Sequence, residues 1–269
     1  MEALRENGHI SIDGIALENR LIGPHPSHAP TIVMLHEGLG SISTWGDFPR
    51  RLSERTGAGV FVYSRAGYGA SPPAHAQFRI DYIKQHALDV LPKLLDAIGF
   101  CRGVLLGHSD GASMVVAYAG NVEDSRLRGL VLMAPHFCVE PETLAEIRIA
   151  REAFETRDLR QRLARYHKDV DVAFWGWNDV WLDPAFGAFN LREELAKIQV
   201  PMLIIRGDND RYGTHGQVRM AKEICRCPLE TLIMPECGHI PHREKPEQTL
   251  DAIAQFYLDS VRPGEASPG

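Results

Sequence analysis

A serine, a histidine and a carboxylate, each just past the end of an apolar run, could together carry out nucleophilic chemistry in this chain. Gly107-His108-Ser109-Asp110-Gly111 fits Gly-x-Ser-x-Gly. Chance alone yields about 0.1 such matches in a chain of this composition, so the weight rests on context. The motif follows the apolar residues 104–106 and precedes a helix-like run at 112–119. A turn that sharp strains the backbone at the serine, needs small neighbours on both sides, and projects the hydroxyl at the sheet edge. A serine hydroxyl is a weak nucleophile and needs a base within hydrogen-bond reach. Among twelve histidines, His239 is best placed, because Cys237-Gly238-His239 follows the run 229–234 and precedes the last helical pattern. His242 is its near rival; His215 opens a helix-like run and is less well placed. The base in turn needs an acid to fix its tautomer and stabilise the imidazolium. Gly207-Asp208-Asn209-Asp210 leaves the run 200–206, and both acids qualify. Asp210 is preferred for its reach past the strand, with Asp208 as the alternative.

These residues must be held by a scaffold, and the pattern for one runs from residue 30 to the end. Apolar runs at 31–36, 59–64, 103–108, 127–134, 200–206 and 229–234 alternate with helical patterns. Such alternation predicts an α/β fold, a mainly parallel twisted sheet with helices on both faces. Runs at 9–12 and 15–22 flank Asp13-Gly14, a two-residue hairpin signal, and predict an antiparallel edge. A helix is expected over 80–98, with Ile80, Ile83, Ala87, Leu91, Leu94, Leu95 and Ile98 on its buried stripe and Pro92 as a kink. The final helix is expected over 246–258, and 263–269 reads as a frayed tail.

Between 137 and 197 no strand pattern occurs. Helical spacing at Leu144, Ile147, Phe154, Leu159, Leu163 and Tyr166 is followed by the aromatic cluster Phe174, Trp175, Trp177, Trp181, Phe186 and Phe189. Sixty residues are too many for a simple connection, so an inserted helical cap is expected. The division is then 1–136 and 198–262 for the two parts of the core, 137–197 for the cap and 263–269 for the tail.

Composition excludes several classes. The 269 residues are 44% hydrophobic and 24% charged, with a net charge of −6. That is ordinary globular usage, and the mild acidity argues against a nucleic-acid footprint. No apolar run approaches a membrane span, and the first eight residues lack the apolar core of a signal peptide. Five scattered cysteines suit reduced thiols rather than a disulfide framework, so a cytoplasmic setting is expected. Cys225-Arg226-Cys227 is too tightly spaced for a zinc site. The expected partner is a small-molecule substrate, with no nucleic acid and no membrane; pairing of two copies in a homodimer is left open.

Together His36-Glu37-Gly38-Leu39-Gly40-Ser41, Gly67-Tyr68-Gly69-Ala70-Ser71, the GHSDG motif, Gly207-Asp208-Asn209-Asp210 and Cys237-Gly238-His239 resemble a serine-type member of the α/β-hydrolase superfamily with a helical cap, over roughly residues 9–260. The resemblance implies an esterase or carbon–carbon hydrolase needing no metal or organic cofactor. It implies Ser109 as nucleophile, His239 as base and Asp210 as its orienting acid. It also implies an oxyanion hole from the Gly38 and Asp110 N–H groups. Related dehalogenases carry aspartate where this chain has Ser109. The chain departs from the usual His-Gly by inserting Glu37, which either holds the loop or faces substrate. The Asp110 side chain either caps its helix or reaches the pocket. His136 and Phe137, past the run 127–134, are candidate pocket residues. Trp175, Trp177 and Trp181 are candidates for an apolar ceiling over a bulky or aromatic acyl group.

Overall fold

A computed structural model describes residues 7–74 and 78–261. Its strands are β1 (Asn7–Ile12), β2 (Ile15–Ile22), β3 (Thr31–Leu35), β4 (Gly59–Tyr63), β5 (Gly103–His108), β6 (Leu127–Met133), β7 (Met202–Gly207) and β8 (Leu229–Met234). They form one sheet in the order β1-β2-β4-β3-β5-β6-β7-β8. The six strands from β3 to β8 pair in parallel, and β1 and β2 add the antiparallel edge. At the hairpin, Asp13 and Gly14 take φ of 50° and 82°, the two positive values that a tight primed turn requires.

The helices are α1 (Phe48–Thr56), α2 (Tyr82–Gln85), α3 (Leu91–Ala97), α4 (Asp110–Ala119), α5 (Pro141–Thr156), α6 (Leu159–Leu163), α7 (Val170–Leu182), α8 (Arg192–Lys197), α9 (His215–Ile224), α10 (Pro241–Glu244) and α11 (Pro246–Val261). Alternate residues of the central strands feed two cores. Ile32, Met34, Val104, Leu106, Leu203 and Ile205 pack with α1 and α11. Val33, Leu35, Leu105, Leu130, Leu132 and Ile204 pack with α3, α4 and the helices between β6 and β7. This period of two with both faces covered explains why these strands read as unbroken apolar runs.

Several element limits shift. The strand expected at 200–206 starts at Met202, because Val200 and Pro201 lie before the ladder and proline has no N–H to give it. The helix expected at 80–98 begins at Tyr82, and Ile80 is exposed rather than part of the stripe. Pro92 does not break it. A π-helical segment at His86–Val90 precedes α3, which takes Pro92 in its first turn, where a missing N–H is tolerated. The last helix runs on to Val261. The tail at 263–269 lies outside the described residues.

Between β6 and β7 the described chain forms helices and one isolated bridge, Cys138 to Asn190. Beside that bridge, Leu191 N–H donates to the Phe137 carbonyl at 2.8 Å. The two ends of the segment between β6 and β7 are thereby fastened together.

Candidate active site

Ser109 sits between β5 and α4 with φ 52° and ψ −116°, a left-handed conformation unfavourable for a residue with a Cβ. Its flanking glycines are there for room. A Cβ on Gly111 would lie 2.2 Å from the Leu35 carbonyl oxygen, and one on Gly107 would lie 2.4 Å from the backbone of Ala112. The turn is therefore clamped between β3 and the first turn of α4, and the Ser109 hydroxyl is carried to the C-terminal edge of the sheet.

His239 arrives at the same edge from the loop after β8. Its Nε2 is 3.0 Å from Ser109 Oγ, and its Nδ1 is 2.9 and 3.0 Å from the two carboxylate oxygens of Asp210. A carboxylate only accepts, so Nδ1 carries the proton and the bare Nε2 accepts from the serine hydroxyl. Asp210 also accepts from the Tyr212 N–H at 2.9 Å and lies 3.3 Å from the buried Arg206 guanidinium. Burial alone would raise the Asp210 carboxyl, but the charge and hydrogen bond of His239, together with Arg206, outweigh it and hold it at about 2. The neighbouring Asp208 is exposed and makes no such contact. His242 is buried against Trp45 and Phe48, with ring centroids at 4.7 and 5.5 Å, and His215 is the exposed first residue of α9.

The loop after β3 forms the facing side. His36 Nε2 accepts the Arg65 backbone N–H at 3.0 Å, so Nδ1 carries the proton and donates to the Glu37 carbonyl at 2.7 Å. The buried Arg65 guanidinium donates to the carbonyls of His36 and Glu37. With the carbonyls turned to Arg65, the Gly38 N–H has no partner among the described residues, and neither has the Asp110 N–H at the start of α4. A Cβ on Gly38 would lie 2.2 Å from Trp177 Nε1, so glycine lets α7 press onto this loop.

Glu37 borders the cleft, but its carboxylate turns towards His108, with Oε2 3.4 Å from Nδ1. His108 Nε2 donates to the backbone carbonyl of His239 at 2.7 Å. Burial would raise the Glu37 carboxyl; His108 and the nearby histidines reverse that and hold it well below the usual carboxylate range. His108 thus ties the end of β5 to the loop that carries His239, and the Glu37 carboxylate lies against its ring without a hydrogen bond.

The cleft of about 240 Å³ is bordered by Ser109, His239, Asp110, His136, Trp177 and Trp181, with Leu39, Ile147, Leu163, Tyr166, Tyr212 and Arg243 around them. Two expected pocket residues do not reach it. Phe137 is fully buried where the segment between β6 and β7 begins, and its N–H donates to Gln217 at 2.7 Å. Trp175 points away: Phe154 and Phe174 meet it edge-on and the Arg151 guanidinium lies 5.0 Å over its ring. Helical geometry gives the reason, since residues four apart such as 177 and 181 share a face and residue 175 does not. Asp110 is nearly fully buried, and the Tyr82 hydroxyl donates to it while accepting from Trp181 Nε1 at 3.0 Å. Arg65, Tyr82 and Tyr212 were not singled out from the sequence. Their only signal was proximity to the Gly67–Ser71 and GDND motifs, and Tyr82 had none.

The fold brings Ser109, His239 and Asp210 together at the C-terminal edge of a parallel sheet. Residues 32–252 match the alpha/beta hydrolase family, and the chain belongs to that family. A proline iminopeptidase of Lactobacillus helveticus is 23% identical over 292 residues, covering 94% of this chain and 97% of that protein. A 2-hydroxy-6-oxononadienedioate/2-hydroxy-6-oxononatrienedioate hydrolase of Pseudomonas putida is 29% identical over 263 residues, covering 85% and 87%. The enol-lactonase of Burkholderia xenovorans LB400 superposes with a TM-score of 0.72 at 22% identity, over 92% of this chain and 98% of that one. No helix among the described residues is long and apolar enough to cross a membrane.

Proposed function

We propose that the protein hydrolyses a small carboxylic ester with an apolar or aromatic acyl part through an acyl-enzyme. The observation that carries this reading is the unbroken chain Ser109–His239–Asp210, with contacts of 3.0 and 2.9 Å, beside a strained serine. Ser109 Oγ attacks the carbonyl while His239 takes its proton, and Asp210 stabilises the resulting imidazolium. The Gly38 and Asp110 N–H groups, both unpaired, face the charge that gathers on the carbonyl oxygen. His239 then returns the proton to the leaving alcohol, and a water activated by the same imidazole cleaves the acyl-enzyme. Residues 137–197 act as the cap, with Trp177 and Trp181 as its apolar ceiling. No step calls on a metal or organic cofactor.

A second reading keeps the same residues and replaces the ester by a thioester or by the carbon–carbon bond of a diketone. The relation to the Pseudomonas putida hydrolase, at 29% identity, favours it. A scaffold that binds ligand with little turnover is the third. The three separate in one assay: p-nitrophenyl esters, thioesters and vinylogous diketones offered to wild type and to Ser109→Ala. Multiple turnover of an ester that Ser109→Ala loses supports the first reading. Turnover confined to the diketones supports the second. No difference between the two proteins on any compound refutes a serine hydrolase.

A further inference from the structure

His136 leaves the end of β6 and enters the cleft wall with no hydrogen bond to its ring. It is 2% exposed and meets Trp181 edge-on, with centroids 5.3 Å apart; its ring lies 5.7 Å from that of His239. Nδ1 is fully buried without a partner, and among the described residues no hydrogen bond reaches either ring nitrogen. Only its main-chain oxygen is engaged, by the Ser113 hydroxyl at 2.6 Å. Burial, helped by the positive charge available to His239, lowers its pKa to about 3, so the ring is neutral. A neutral imidazole offers one N–H donor and one lone pair; Nδ1 is shut away, so Nε2, unpartnered and not fully buried, is the ring nitrogen that a ligand in the cleft can meet. An unpaired ring nitrogen in a cleft wall is a position that a polar group of a ligand can satisfy.

Asp110 supplies the second half. It borders the same cleft, follows Ser109 directly, and is 1% exposed. One of its oxygens is taken by Tyr82, whose own oxygen accepts from Trp181, so Trp181 backs both groups. Burial pushes the Asp110 carboxyl up, with Arg65 offsetting part of that rise.

The two groups discriminate among ligands. An alkyl group leaves both unpaired. A carboxylate brings negative charge against Asp110 and Glu37. An ammonium donates but cannot accept the imidazole N–H. A hydroxyl can donate to one group and accept from the other without burying a charge. We infer that His136 and the Asp110 side chain form a polar subsite beside Ser109 that takes a hydroxyl carried within a few bonds of the scissile carbonyl. The substrate is then a hydroxyl-bearing ester, with its apolar remainder under Trp177 and Trp181. This rests on the reading of Ser109 as nucleophile.

The test uses p-nitrophenyl esters of 3-phenylpropanoate and its 2-hydroxy and 2-amino counterparts, with wild type, His136→Leu, His136→Asn and Ser109→Ala. Wild type should prefer the hydroxy ester in kcat/KM by about tenfold or more, because a site built for a hydroxyl rejects analogues lacking it. His136→Leu should bring the ratio to within about threefold, and His136→Asn should restore part of it. Equal rates on all three esters, a preference for the amino ester, or a preference that survives in His136→Leu overturns the subsite. In those cases loss of all turnover in Ser109→Ala leaves the hydrolase reading standing; unchanged turnover there removes both. Should His136→Leu fail to fold, or no ester turn over, calorimetry of the hydroxy and deoxy methyl esters on Ser109→Ala decides. Tighter binding of the hydroxy compound supports the subsite, and equal binding overturns it.

Discussion

The wall of the cleft built from strand ends and the wall built from α7 differ in how they fix their side chains. On the strand side, Ser109, His239, Asp210 and Arg206 are held by a backbone turn, two loops and hydrogen bonds between charged or polar partners. On the helix side, Trp177 and Trp181 are placed by helical spacing and by packing, Trp177 on Gly38 and Trp181 on Phe186 at 4.9 Å. Directional contacts tolerate no substitution by size alone, whereas a packed ring is replaceable by another apolar group at modest cost. The strand wall should therefore govern the chemical step, and the helix wall the choice of substrate.

The sharpest break of that contrast is at Ser109. Ser109→Ala should lower kcat/KM by about 10⁵-fold or more, whereas no change in α7 should approach that figure. Asp210→Asn should follow, at about 10⁴-fold in kcat, since the amide no longer fixes the proton on His239 Nδ1. Arg65→Met removes the donors that hold the His36 and Glu37 carbonyls. It should cost about 10²-fold in kcat by letting the Gly38 amide drift, visible as a kcat loss greater than any change in KM.

Acid should expose the same wall in stability. Asp210 is held at about 2, below its ordinary 3.8, so its contribution is complete above about pH 4 and is lost as pH falls towards 2. Urea unfolding should show wild type losing about 2 kcal/mol more between pH 5 and pH 2 than Asp210→Asn does. Equal acid sensitivity in the two proteins would mean that the carboxylate is not held as described. The smallest effects belong to the helix wall. Trp177→Leu should reduce kcat/KM for bulky aromatic esters about tenfold relative to acetate, while Trp175→Leu should change that ratio less than about twofold. Equal effects of the two substitutions would erase the distinction between the inner and outer faces of α7.

The sheet and the candidate site residues could be picked out because each is written locally. An apolar run bounded by turn residues marks a buried strand, and the glycines around Ser109 mark a turn that few other residues can make. Asp210 over Asp208 was a matter of reach past a strand, and the structure brings Asp210 to His239. The helix wall was less legible. The aromatic cluster was visible, yet which rings face inward depends on where α7 begins and on its 3.6-residue period, and Trp175 was misassigned for that reason. Phe137 was misassigned because a residue past a strand end can turn either to the cleft or to the root of an insertion. Tyr82 and Arg65 carry no motif: they matter through contacts with Asp110 and the Glu37 loop across 28 residues of sequence, and only folding creates those contacts. Glu37 was noticed as a departure from the family pattern, but its approach to His108 required the loop after β3 to be set against the end of β5.

Labelling with a fluorophosphonate, with the adduct mapped by mass spectrometry, tests the central claim directly. One equivalent should attach to the peptide containing Ser109, none should attach to Ser109→Ala, and His239→Ala should react at least about 100-fold more slowly. An adduct on a different residue, or undiminished labelling of His239→Ala, would contradict the assignment of Ser109 as a nucleophile activated by His239.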